Sequence, residues 1–150
     1  MKRLLSLLLI CCGLCTCALA ESYQGVAETA GDVTLLIPQT WTRAEAAEGD
    51  AAIARYTDGE RQIALYVFAD MTLDSLLQST MQRAGEIDNV STLMLGDRMA
   101  VQFDWLTEGV SCLAVSDDEK QKQLWLCYAP VTDSELGLLL GEIAKSVSFN

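Results

Sequence analysis

Residues 110–129, VSCLAVSDDEKQKQLWLCYA, contain two uncharged runs, Val110 to Ser116 and Gln123 to Ala129, on either side of a charged tip, Asp117 to Lys122. Short apolar runs bounded by polar clusters predict two antiparallel strands joined at that tip. With Glu119 and Lys120 at the centre of the turn, Cys112 falls directly opposite Cys127, Leu113 opposite Leu126 and Val115 opposite Leu124. Directly opposed residues hold their Cβ atoms about 4.5–5.5 Å apart, which is close to disulfide reach. The pair has three readings: a structural disulfide, two buried thiols or a catalytic redox couple. An exported chain favours the first. The third is the weakest, because the cysteines are mid-strand, not spaced C-x-x-C, and lack a basic neighbour to lower a thiol pKa.

Working upstream, Thr92 to Leu95, a Gly96-Asp97 turn, Met99 to Thr107 and a Glu108-Gly109 turn extend the pair to a four-strand antiparallel meander. A two-residue turn at Glu108-Gly109 sets Trp105 opposite Cys112. Phe103, Trp105 and Trp125 then share the cysteine face. They are either an aromatic ligand-binding wall or a core beneath a helix, and the second is the commoner use of such a cluster. The opposite face carries Leu113, Val115, Leu124 and Leu126, with Asp104 among them. A single carboxylate there is a candidate general acid. It has no catalytic partner, and a place at the sheet margin would leave it solvated.

The rest of the chain supplies strands and two helices. Val33 to Ile37 is a strand stopped by Pro38, which cannot donate to a ladder. Ala44 to Asp50 reads as a small acidic connector. Ala52 to Thr57 and Gln62 to Ala69 flank Asp58-Gly59, a strong hairpin signal that pairs Tyr56 with Arg61 and puts Ile63, Leu65 and Val67 on one buried face. Leu73 to Ala84 is a helix, with Thr72 as N-cap, Gly85 as its stop and a stripe of Leu73, Leu76, Leu77, Met81 and Ala84. The last helix opens on a Thr132/Glu135 capping box with a Val131/Leu136 staple. Its apolar face is Leu136, Leu139, Leu140, Ile143 and Val147. The expected fold is α+β: one antiparallel sheet of about six to seven strands covered by two helices, spanning residues 33–150.

Residues 1–20, MKRLLSLLLICCGLCTCALA, read as a signal peptide: a basic start at Lys2 and Arg3, an apolar core and an Ala18-Leu19-Ala20 cleavage signature. Lipidation at Cys17 is the lesser alternative, and Cys12/Cys15 are a coincidental C-x-x-C. Residues 21–32 read as a flexible arm. Four of the six cysteines lie in the leader, and losing Lys2 and Arg3 with it takes the net charge from −11 to −13. The 150-residue length and 51% hydrophobic content are those of a single foldable domain. No segment of the mature chain is long enough to span a membrane. The chain has no histidine, which removes Ser-His-Asp and Cys-His nucleophiles and every imidazole metal site. Its acidity argues against nucleic acid as a partner. Asp117-Asp118-Glu119 lacks the spacing of a calcium loop and reads as a solvated tip. Asn89-Val90-Ser91 is a formal glycosylation sequon.

The segment Leu35-Leu36-Ile37-Pro38-Gln39-Thr40-Trp41 resembles the strand, Ile-Pro, two residues, Trp opening of the PsbP-like family. The resemblance continues through Asp58-Gly59, the helix start Thr72-Leu73-Asp74-Ser75-Leu76, the Gly96-Asp97 turn and the closing Ile143-Ala144-Lys145-Ser146-Val147. That family includes the photosystem II extrinsic protein, a Ran-binding import factor and small exported bacterial proteins. The resemblance implies an α/β/α sandwich in which Pro38 ends the first strand and Trp41 plugs the core. It also implies a non-enzymatic accessory role, with no family binding residue matched here and no cofactor. Two functions follow as expectations. The first is an exported accessory domain engaging a protein or cell-envelope partner. The second is a small-molecule or calcium-binding module using the aromatic face or the carboxylates.

Overall fold

The structure, a computed structural model, describes residues 24–45, 48–82, 85–131 and 133–150. The leader with Cys12, Cys15 and Cys17 lies outside the described residues, as do Ala84 and Thr132 and the side chain of Met81. In chain order the elements are β1 (Gly25–Ala30), β2 (Val33–Pro38), β3 (Thr42–Ala44), β4 (Ala54–Thr57), β5 (Gln62–Ala69), α1 (Leu73–Gln82), β6 (Ile87–Leu95), β7 (Arg98–Trp105), β8 (Val110–Asp117), β9 (Lys122–Ala129), α2 (Ser134–Lys145) and β10 (Ser148–Phe149). A seven-stranded antiparallel sheet runs β3-β4-β5-β9-β8-β7-β6. A small second sheet runs β1-β2-β10. The first expected strand therefore does not join the main sheet.

The β8–β9 hairpin has the expected register, with Cys112 opposite Cys127, Leu113 opposite Leu126 and Val115 opposite Leu124. Its two faces divide the molecule into layers. Leu113, Val115, Leu124 and Leu126 pack with Leu136, Leu140 and Ile143 of α2 and with Val33, Leu35 and Ile37 of β2. Phe103, Cys112, Trp125 and Cys127 pack with Leu73 and Leu76 of α1. Trp41 is buried in the first of these cores, its N–H bonded back to the Pro38 carbonyl at 2.9 Å and the Arg61 guanidinium 5.8 Å from its ring. Lys122 ties the hairpin tip to the small sheet through Asp32 at 2.7 Å, and Lys120 Nζ donates to the Phe149 carbonyl.

Four expectations are corrected. Residues 25–30 of the supposed arm form β1, paired with β2 across a Gly31-Asp32 turn in which Gly31 has φ +57°. Only Ala30 of this edge strand is buried, so its place comes from backbone pairing and leaves no apolar alternation to read. The Asp58-Gly59 hairpin closes with four turn residues, pairing Tyr56 with Ile63. The Asp58 carboxylate accepts from the Glu60 and Arg61 backbone N–H groups at 3.1 and 2.8 Å, which holds the wider turn. A shift of two preserves the faces, so Ile63 and Leu65 are buried as expected. Just ahead of the connector, Thr42–Ala44 adds β3 to the sheet edge, which takes Ala44 out of the connector and into a strand. At α2 the N-cap is Asp133, whose side chain accepts from Leu136 N–H at 3.0 Å, one residue beyond the capping box read from sequence.

Candidate functional site

Cys112 and Cys127 are joined by a disulfide across directly opposed positions, their Cα atoms 4.1 Å apart. On the same face the β7–β8 turn uses Leu106 to Gly109, with Gly109 at φ +64°, so Phe103 sits opposite Cys112 and Trp105 opposite Val110. This corrects the expected Trp105–Cys112 pair by two residues and again leaves the face unchanged. Phe103, Trp105 and Trp125 do come together. Trp125 is 5.1 Å from Phe103, 6.1 Å from Trp105 and 4.5 Å from Phe68 between ring centroids.

Their roles differ, however. Phe103 is 0% exposed and Trp125 5% exposed, in the same core as Leu73 and Leu76 of α1. The Trp125 indole N–H donates to Gln123 Oε1 at 3.0 Å, and Gln123 Nε2 donates to the Thr72 carbonyl at 2.6 Å. Buried polar groups are thereby satisfied at the start of α1. Trp105 alone of the three borders a cleft of about 160 Å³, with Arg55, Gln62, Tyr66 and Glu108. No described side chain of α1 lines it.

The cleft is organised by a side-chain relay from the β4–β5 pair. Arg55 lies opposite Ala64, two residues from Tyr66 on the same face of β5. Arg55 Nε and Nη2 donate to Asp50 Oδ2 and Oδ1 at 2.5 and 3.0 Å, and Nη2 also reaches the Tyr66 hydroxyl at 3.3 Å. The Arg55 hydrogen bond, followed by that from Ala52 N–H, holds the Asp50 carboxyl down at about 2. A carboxylate with a depressed folded-state pKa contributes stability above its unfolded value, and that contribution is lost as pH falls through the folded one. Asp50→Asn is therefore expected to flatten the loss of stability between an ordinary 3.8 and about 2. Urea unfolding at several acidic pH values checks this. An unchanged pH slope would show that the pair contributes nothing. Sequence reasoning missed Asp50, Arg55 and Tyr66, and the alternation Ala54-Arg55-Tyr56-Thr57 was the only available signal for Arg55.

Asp104, Asp117 and Asp118 have structural partners. Asp104 accepts from Ser111 Oγ and, at 2.7 Å, from Asn89 Nδ2, so both its oxygens are engaged at the sheet margin. Asp118 Oδ1 accepts from Leu73 N–H at 3.2 Å, capping α1 from the β8–β9 tip that sequence alone reads as merely solvated. Asp117 accepts from Lys120 N–H at 3.1 Å. Among the described residues no group of three or more Cys, Asp or Glu is placed to hold a metal ion.

On the other face, α2 and the edge strand β6 border a groove of about 410 Å³ lined by Leu93, Met94, Gly137, Leu138 and Gly141 among others. Leu138 is 77% exposed and Met94 59%. Side chains at 137 and 141 would fill the space: a Cβ at Gly137 would lie 3.5 Å from the Tyr128 hydroxyl, and one at Gly141 3.9 Å from Leu95. The sequence signal was Leu138, which interrupts the buried stripe between two glycines four apart.

Neither a family model nor a curated protein matches the sequence. A solved structure does: the solution structure of cyanobacterial PsbP (CyanoP) from Synechocystis sp. PCC 6803 superposes with a TM-score of 0.55 at 12% identity, covering 92% of this chain and 99% of that one. The fold is PsbP-like. At that identity the likeness concerns architecture, and no side chain of the cleft or groove is carried over by it. Among the described residues of this PsbP-like domain, no helix is long and apolar enough to cross a membrane.

Proposed function

We propose that the chain is an exported, non-enzymatic accessory domain that binds a protein partner through the groove between α2 and β6. The A-x-A leader signature supports export, and the Cys112–Cys127 disulfide fits an oxidising compartment. The PsbP-like architecture and the structural engagement of Asp104 support a binding role over catalysis. The observation that carries the reading is the exposure of Leu138 and Met94 beside an open groove, because contiguous exposed apolar surface marks interaction sites.

Site-specific photocrosslinking in the native host tests it. A photoreactive residue at Leu138 is expected to yield one discrete heavier adduct. The same probe at Asp74, exposed on α1 across the sheet, is expected to yield none. Met94→Glu should remove the Leu138 adduct without lowering Tm. Equal labelling from both positions, or no adduct at Leu138, would overturn the proposal.

A further inference from the structure

Across the main sheet from the groove, the cleft beside Trp105 has its own chemistry. We infer that it receives one basic side chain, arginine or lysine, of a polypeptide partner; the polypeptide source rests on the protein-binding reading above. At about 160 Å³ the cleft is below the roughly 300–1,000 Å³ of small-molecule and cofactor pockets, and suits a single long side chain. Its charge selects the sign of that side chain. Arg55 is already committed to Asp50 and Tyr66, so it offers no unpaired positive charge to an anion. Glu108 enters no ion pair among the described residues, which leaves the cleft with one uncompensated negative charge.

The aromatic residues in the lining reinforce the choice. Trp105 and Tyr66 both line the cleft, and the electron-rich face of an aromatic ring attracts a guanidinium or ammonium group. Gln62 adds an amide oxygen that can accept from the same cation. At longer range, a chain of net charge −11 draws cationic groups toward its surface and repels anions. Local charge, ring chemistry and long-range field therefore agree on a cation, whereas an anion would find only a neutralised arginine.

The test uses small probes, so it does not depend on knowing the partner. The protein is titrated with a doubly capped Gly-Arg-Gly tripeptide and with its citrulline analogue, which keeps the shape and loses the charge. The readout is the indole N–H resonance of Trp105, assigned with Trp105→Phe. The arginine tripeptide is expected to shift that resonance saturably, and the citrulline one is not. Glu108→Gln, in an exposed turn, should weaken the arginine tripeptide about threefold, as for a partly exposed ion pair. Raising the salt should weaken it further.

Equal shifts from both tripeptides, or binding indifferent to Glu108→Gln, would overturn the inference. Agmatine binding about tenfold tighter than the tripeptide, a gap of about 1.4 kcal/mol, would reassign the cleft to a free amine and overturn the polypeptide source. The two readings fail separately. A silent cleft with a persistent Leu138 adduct removes only the basic-side-chain site, and a responsive cleft without that adduct removes only the groove.

Discussion

The double variant Cys112→Ala/Cys127→Ala is expected to melt about 10 °C below the parent protein, because a disulfide closing a loop of this size contributes about 3 kcal/mol. The two cysteines are 15 residues apart in sequence, and the loop between them is a single hairpin. The cross-link restricts the unfolded chain, while in the folded state it joins positions that the β8–β9 ladder already holds opposite one another. Both side chains are buried in the core with Phe103 and Trp125, so losing the sulfur atoms removes some packing as well. Thermal unfolding followed by circular dichroism gives the comparison, and a phosphine reductant supplies the control. The parent should drop toward the variant on reduction, and the variant should not respond. A variant melting within about 2 °C of the parent, with no response of the parent to reductant, would show that the pair contributes as two buried thiols. That result would also remove the oxidising-compartment support for export.

The same hairpin shows why some of this molecule was readable in its sequence and some was not. Its register follows from two uncharged runs placed symmetrically about a charged tip, so Cys112, Leu113 and Val115 had only one sensible set of partners. The hairpins at Asp58 and Glu108 lacked that symmetry. Each closes with four turn residues where two were expected, and each expected pair was displaced by two. Because side chains alternate with a period of two, the buried faces were still right although the partners were wrong. Strands β1 and β3 gave no such signal, since edge strands held by backbone pairing do not need apolar alternation. The cleft was harder still. Asp50 comes from a loop, Arg55 and Tyr66 from paired strands, and Trp105 and Glu108 from the far end of the sheet, so only tertiary folding brings them together. Phe103, Trp105 and Trp125 were correctly placed on one face, but where α1 stops covering them cannot be read from that alternation.

Phe103→Ala separates core from cleft within that aromatic face, and is expected to destabilise the protein by about 3–5 kcal/mol. Phe103 is fully buried, and it meets Trp125 edge-on at 5.1 Å. Removing its ring leaves a void beneath α1 that Leu76 and Val101, buried in the same cluster, cannot fill without moving the helix or the sheet. With a urea dependence of about 2 kcal/mol per molar for a domain of this size, the unfolding midpoint should fall by about 2 M. Trp105→Ala should behave differently. The residue is half-buried at the strand end, so truncation is expected to cost about 1 kcal/mol while removing the response of the cleft to the arginine tripeptide. The discriminating quantity is the ratio between the two variants. Similar midpoint losses would mean that Trp105 is as much a part of the core as Phe103, and a cleft walled by such a residue could not accept a side chain without unpacking α1. A large loss for Phe103→Ala with a small one for Trp105→Ala would mean that the face is divided. Its buried part then holds the fold together, while its open end remains available to a partner.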